Sequence, residues 1–166
     1  MAEKEPLDVY MNDHLAGSAA AVELAERLRS NNERTALAAH LEGLGREIQA
    51  DKDVLADMME QLGVAPSTVK QAGGKVLETL SRLRLNERIT GSPDVSRLME
   101  IETLSLGIEG KLALWRSLSQ VTASRPGLAA CDLPGLMEGA VQQREGLEPY
   151  RLEAAATALA RSPSPS

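Results

Sequence analysis

The 166-residue sequence contains no phenylalanine, one tryptophan and two tyrosines. Its core must therefore be aliphatic, built from Leu, Val, Ile, Met and Ala, which suits helices packed closely through small side chains. Cys131 is the only cysteine, so no intrachain disulfide can form, and a buried or idle thiol in a reducing compartment is the expected reading. Histidine is as scarce. His14 and His40 are the only two, and Met11 and Leu37 stand three residues before them, so the pattern Glu-x-x-His occurs nowhere. No stretch approaches the roughly 18 uninterrupted apolar residues of a membrane span, and the opening MAEKEPLDVYMNDH carries no apolar signal segment. A cytoplasmic protein without membrane contact is expected. Positive charge is short too: a formal net charge of −6 with scattered Lys and Arg argues against a nonspecific nucleic-acid binder, which needs basic groups to neutralise phosphates.

Helical periodicity fills most of the chain. Leu7, Tyr10, Met11, Leu15, Ala21, Leu24 and Leu28 recur at spacings of three and four, which predicts a first helix from Leu7 to Ser30. After SNNE (30–33), a second helix carries Leu37, Leu41, Leu44, Ile48, Leu55, Met58 and Leu62 and stops at Gly63, with Pro66 beyond. Residues 67–92 are too long for a turn. They read as a partly helical crossover with Gly73-Gly74 inside it, long enough to start the next helix at the far end of a bundle. Ser92 is placed to cap that helix with Pro93 at its first position, and Leu98, Ile101, Leu104, Ile108, Leu112, Trp115 and Leu118 mark its buried side. A turn over 122–135 leads to a last helix from about Pro134 to Arg161, through Leu136, Met137, Ala140, Leu147 and Ala154. The expected organisation is one helical domain over 1–161 and a disordered tail, SPSPS, over 162–166.

Four long helices in two pairs, joined by a long middle connection, resemble the ferritin-like superfamily of four-helix bundles. In REIQADKDVLADMMEQLG (45–63 without its first Gly), Glu47 falls where that family places the Glu of a Glu-x-x-His pair. Ala50 stands where the His would be. The resemblance implies a dinuclear metal centre held by a Glu from each of two helices and Glu-x-x-His from the other two. This chain departs from that pattern throughout, and in QQREGLEPYR of the last helix Arg144, Leu147 and Arg151 occupy the neighbourhood of the expected ligands. No metal ligand, catalytic residue or cofactor is carried over.

What remains is a set of polar residues close to the apolar faces. Asp51 holds a position that Leu44, Ile48, Leu55 and Met58 predict to be apolar, so its charge must be paired, protonated or reached by water. Lys111 on the third helix and Arg144 and Arg151 on the fourth are its candidate partners. His14 lies beside Met11 and Leu15 and reads as a core histidine rather than a ligand; Glu47 either joins the network or reaches out to water. The candidate polar core is thus His14, Glu47, Asp51, Lys111, Arg144 and Arg151. LGIEGKLAL (106–114) lacks the spacing of a phosphate loop, and DKDVLAD (51–57) lacks the Gly of a calcium loop.

These readings favour a noncatalytic ferritin-like bundle, a binding or structural module whose metal site is replaced by a polar or ionic core. Two alternatives stand beside it. One is an atypical metal protein or oxidoreductase using His14, Glu47, Asp51 and Glu102; the other is a small-molecule carrier with a pocket between helices near Trp115. A homodimer is also expected, formed through an apolar strip that includes Leu37, Leu77, Leu80 and Leu83.

Overall fold

The structure, a computed structural model, describes residues 5–67 and 92–160. Its described residues form four long α-helices, α1 (Pro6–Asn31), α2 (Ala36–Gln61), α3 (Pro93–Ser119) and α4 (Leu133–Leu159), with a single 3-10 turn at Pro126–Leu128. The four pack into an all-α bundle. The expected crossover and the C-terminal tail lie outside the described residues, as do Leu77, Leu80 and Leu83.

The helix ends follow from local chemistry. Thr35 accepts a hydrogen bond from the Ala38 N–H at 3.2 Å, and Ser92 accepts one from Val95 N–H at 3.5 Å with Pro93 behind it, so α2 and α3 begin where a hydroxyl satisfies an otherwise orphaned donor. Asp132 does the same for α4 by accepting from Gly135 N–H at 3.0 Å, one residue earlier than the Pro134 boundary suggests. Helix α2 ends in a Schellman arrangement. Gly63 adopts φ +71°, its N–H donates to Glu60 O at 3.0 Å, and Val64 N–H donates to Met59 O at 2.8 Å. Val64 and Met59 are both buried, which supplies the apolar contact that usually accompanies this cap. Asn12 of α1 then holds the outgoing chain, donating to Ala65 O at 3.1 Å and accepting from Ser67 N–H at 2.6 Å.

Side-chain packing sets the helix directions. At one end the start of α1 (Met11), the end of α2 (Leu55, Met58, Met59), the end of α3 (Leu114, Trp115, Leu118) and the start of α4 (Leu133) share one apolar cluster. At the other end Leu28, Leu37, Leu41, Leu98, Ile101 and Ala154 belong to a second. The order is therefore up, down, down, up. The helices neighbour one another as α1–α2, α1–α3, α3–α4 and α2–α4, which puts α2 and α3 across the diagonal. Gln61 and Pro93 consequently lie at opposite ends, separated by a bundle about 40 Å long at 1.5 Å per helical residue.

Leu37 is only 8% exposed and belongs to the core cluster, so it is not part of an external apolar strip. Its position two residues after the Thr35 cap turns it inward beneath Leu41. The exposed apolar side chains of the last helix are instead Val141, Leu152 and Leu159, spaced by 11 and 7 residues and so on one face. Helix α4 also continues through Pro149, where the exposed ring removes one backbone donor without ending the helix.

Because the left-handed conformation at Gly63 penalises any Cβ, Gly63→Ala should destabilise the bundle by about 1–2 kcal/mol. Gly43, an ordinary helical glycine with no atom within 4 Å of an added Cβ, provides the contrast: Gly43→Ala should stabilise by up to about 1 kcal/mol. Chemical denaturation of the two variants checks the pair, and an unchanged midpoint for Gly63→Ala would contradict the cap.

Candidate functional site

Between the two apolar clusters lies a polar node made by three helices. Lys111 leaves α3 on its buried side, one turn from Ile108 and Trp115, and crosses the diagonal to Asp51 of α2. The same ammonium donates to Oε1 of Gln143 on α4. Gln143 Nε2 in turn donates to Asp51 Oδ2 at 3.1 Å, closing the circuit. Lys111 and Gln143 are each only 7% exposed, so these polar atoms have exchanged water for one another. An unmatched charge at this depth would cost several kcal/mol.

Burial pulls the Lys111 ammonium below its usual pKa; the Asp51 hydrogen bond, the Asp51 charge and the more distant Glu47 charge oppose that shift without cancelling it. Asp51 was expected to be paired, protonated or reached by water, and of these the pairing is found, with Lys111. Glu47 sits one helical turn away on α2 but is exposed and acts on Lys111 through charge alone. Arg144 and Arg151 answer other carboxylates: Arg144 pairs with Glu109, and Arg151 pairs with Glu148 at 2.6 Å and Glu102 at 3.3 Å, all on the outer surfaces of α3 and α4. A cationic side chain on α4 lies off the inner face there, because the inward positions of that helix are taken by Ala140, Gln143 and Leu147.

His14 lies on the other side of Lys111, half-buried on α1, with its ring edge-on to Tyr10 at a centroid distance of 4.6 Å. Burial lowers its pKa, opposed by the charge of Asp13, so the imidazole is neutral at pH 7. It borders a cleft of about 190 Å³ between α1 and α3, lined by Gly17, Ser18, Ala21, Ile48, Gly107, Ile108, Gly110 and Lys111 as well as Asp13 and His14. Trp115, the anticipated marker of an intrabundle pocket, is fully buried in the apolar end instead and does not border the cleft. His40 stacks on Tyr150 at 4.9 Å where Gly146 leaves it room. Cys131 packs against the Trp115 cluster, and burial pushes its thiol pKa up, away from the reactive thiolate.

Three polar residues were not singled out from the sequence, Gln143, Arg27 and Glu100. Gln143 is buried on α4 although nothing marks a glutamine in a helix as inward, except its place between Ala140 and Leu147. Arg27 of α1 approaches Glu100 of α3 at 2.6 Å, and Glu100 is buried. The signal for Glu100 was present in the spacing 96, 100, 104, 108, where Ser96 and Glu100 interrupt the inner stripe of Leu104 and Ile108.

Among the described residues, no group of three or more His, Cys, Asp or Glu side chains could hold a metal ion. The chemistry of the node points the same way, since a divalent cation at Asp51 would sit against the Lys111 ammonium. No described helix is long and apolar enough to cross a membrane. Fold and node together define an all-α four-helix bundle with a buried ionic centre. Neither models of protein families, nor curated proteins, nor solved structures give a match to this chain.

Lys111→Met should destabilise the protein by about 3 kcal/mol, at the lower end for breaking a buried pair because Gln143 still donates to Asp51. Adding Asp51→Leu should recover much of that loss; Gln143→Met should recover more, since the double change leaves its amide buried without a partner. Denaturation midpoints of the single, double and triple variants read this directly, and a double variant weaker than the single one would refute the pairing. The pH dependence has a fixed sign. Between the lowered folded pKa and the ordinary value of about 10.4, the unfolded chain holds a proton that folded Lys111 has released, so stability gains with rising pH in that window. The stability gap between the unmodified protein and Lys111→Met should accordingly widen as pH approaches 10, and a narrowing gap would contradict it.

Proposed function

We propose that the protein is a ferritin-like helical bundle acting as a noncatalytic binding or structural module, with an ionic core standing where a metal-bearing relative would hold its ions. The observation that carries this reading is the identity of the central cation. Bundles of up-down-down-up order with one long crossover build their metal sites from side chains of facing helices near the middle. Here the inward groups at the middle of α2, α3 and α4 are Asp51, Lys111 and Gln143, joined to one another. One ammonium balances one carboxylate. Two divalent ions would call for several carboxylates and imidazoles, and the neighbouring Glu47 is exposed while Glu102 is engaged by Arg151.

The exposed face of α4 bearing Val141, Leu152 and Leu159 supports self-association as the way such a module is used, in place of the strip that Leu37 would have joined. Sedimentation across a wide concentration range tests this part, with a monomer at every concentration as the refuting result.

For the centre itself, protein purified without chelators should carry no stoichiometric metal, and added iron, manganese or zinc should leave its melting temperature unchanged, because only an ion that binds the folded state selectively raises it. A saturable rise with about two ions per chain, matching the dinuclear centres of such bundles, would overturn the reading in favour of a metal protein.

A further inference from the structure

The cleft between α1 and α3 is open because of glycines that the helices themselves do not require. Gly17 and Gly110 face it from opposite walls, neither has a positive φ, and a Cβ added to either would meet no atom within 4 Å. Alanine would fit at both and would favour the helix. Close helix packing is served one turn along the same cleft, where an added Cβ on Gly107 would lie 3.9 Å from that of Ala21. The space beside Gly17 and Gly110 is left unfilled by that packing.

The walls determine what could fill it. Ile48, Ile108 and Ala21 make the interior largely apolar, and its volume of about 190 Å³ is comparable with that of a closed cavity of about 150 Å³ that takes benzene, with the difference that this cleft is open to solvent along one side. Lys111, 7% exposed, also borders it. Its ammonium has three N–H donors, two of which go to Asp51 and Gln143. The third remains for an acceptor. Neutral His14 stands at the rim with one ring N–H to offer. An anionic head is disfavoured: Asp51 already balances Lys111, while Asp13 and Glu47 add negative charge nearby.

We infer that this cleft is a binding site for a small, neutral, mainly apolar molecule carrying one carbonyl-type acceptor, the apolar body resting between the Gly17 and Gly110 walls and the acceptor meeting Lys111 or His14. The inference rests on the reading of the bundle as a binding module and adds to it a location and a ligand class.

Acetophenone, ethylbenzene and benzoate titrated into the full chain at pH 7, followed by amide and side-chain NMR, test it. Acetophenone should give saturable shifts centred on Gly17, Gly107, Gly110 and Lys111; ethylbenzene, without an acceptor, and benzoate, with a charge, should each bind at least about tenfold more weakly, the equivalent of one charge-assisted hydrogen bond. Gly110→Leu and, from the opposite wall, Gly17→Leu should abolish the shifts while thermal unfolding shows each variant still folded. Gly139→Ala on α4, where an added Cβ also meets nothing within 4 Å, should leave them unchanged. Absence of saturable shifts, their survival in both filled variants, or equal binding of ethylbenzene or benzoate would overturn the assignment. None of these outcomes touches the metal-free ionic centre, which the metal titration tests separately.

Discussion

Everything near the middle of the bundle is arranged around one ammonium group that has been carried across the diagonal. Helices α2 and α3 do not pack directly on each other, so the four methylenes of Lys111 span the gap that an aliphatic side chain would leave short of a partner. The charge at the end of that stem then dictates its surroundings. Asp51 must face it, Gln143 must turn inward to complete the hydrogen bonding, and the apolar core divides into a cluster on each side. Buried ion pairs seldom add net stability compared with well-packed apolar residues. Their contribution here is to register: sliding α3 by one turn toward Leu55 would bury Lys111 without a carboxylate, an arrangement far costlier than the loss of a few methyl contacts.

The second buried pair, Arg27 with Glu100, joins α1 to α3 near the opposite end. The two pairs thus tie different helices, α3 being common to both. A helix that carries a buried acid at position 100 and a buried base at position 111 has a polarity to its inner face that none of its neighbours shares. This explains why α3 reads as apolar in its Leu and Ile spacing yet makes the decisive electrostatic contacts of the fold.

Helix number, order and most boundaries were legible because they follow from near-neighbour chemistry: the Ser92 cap with Pro93, the Gly63 stop and the three-four spacing of leucines each act within a few residues. Asp51 was legible as an anomaly on an apolar face, and Lys111 as a basic group on the facing helix. Arg144 and Arg151 satisfy the same formal requirement as Lys111, and choosing among them needs the rotation of α4 about its axis, which its sparse apolar spacing does not fix. Gln143 was hidden for that reason. Leu37 looked available for an interface because its burial depends on how the turn after α1 closes, which involves Arg34 at φ 63°, an uncommon conformation for a non-glycine residue. The cleft was invisible as well, since sequence does not tell a helical glycine that meets a neighbouring helix, as Gly107 does, from one that faces open space, as Gly110 does.

The burial of Trp115 has a spectroscopic consequence. It is the only tryptophan, has no exposed surface, and among the described residues its indole N–H finds no hydrogen-bond partner. With methionine and leucine side chains around it, the indole should emit at short wavelength in the folded protein and shift to the red on exposure. That emission reports on a single half of the molecule, the apolar end formed by the start of α1 and the ends of α2 and α3. Loosening confined to the Arg27 and Glu100 end would leave the fluorescence unaltered while the helical signal falls, so the two optical signals together distinguish fraying of one end from cooperative unfolding of the whole bundle.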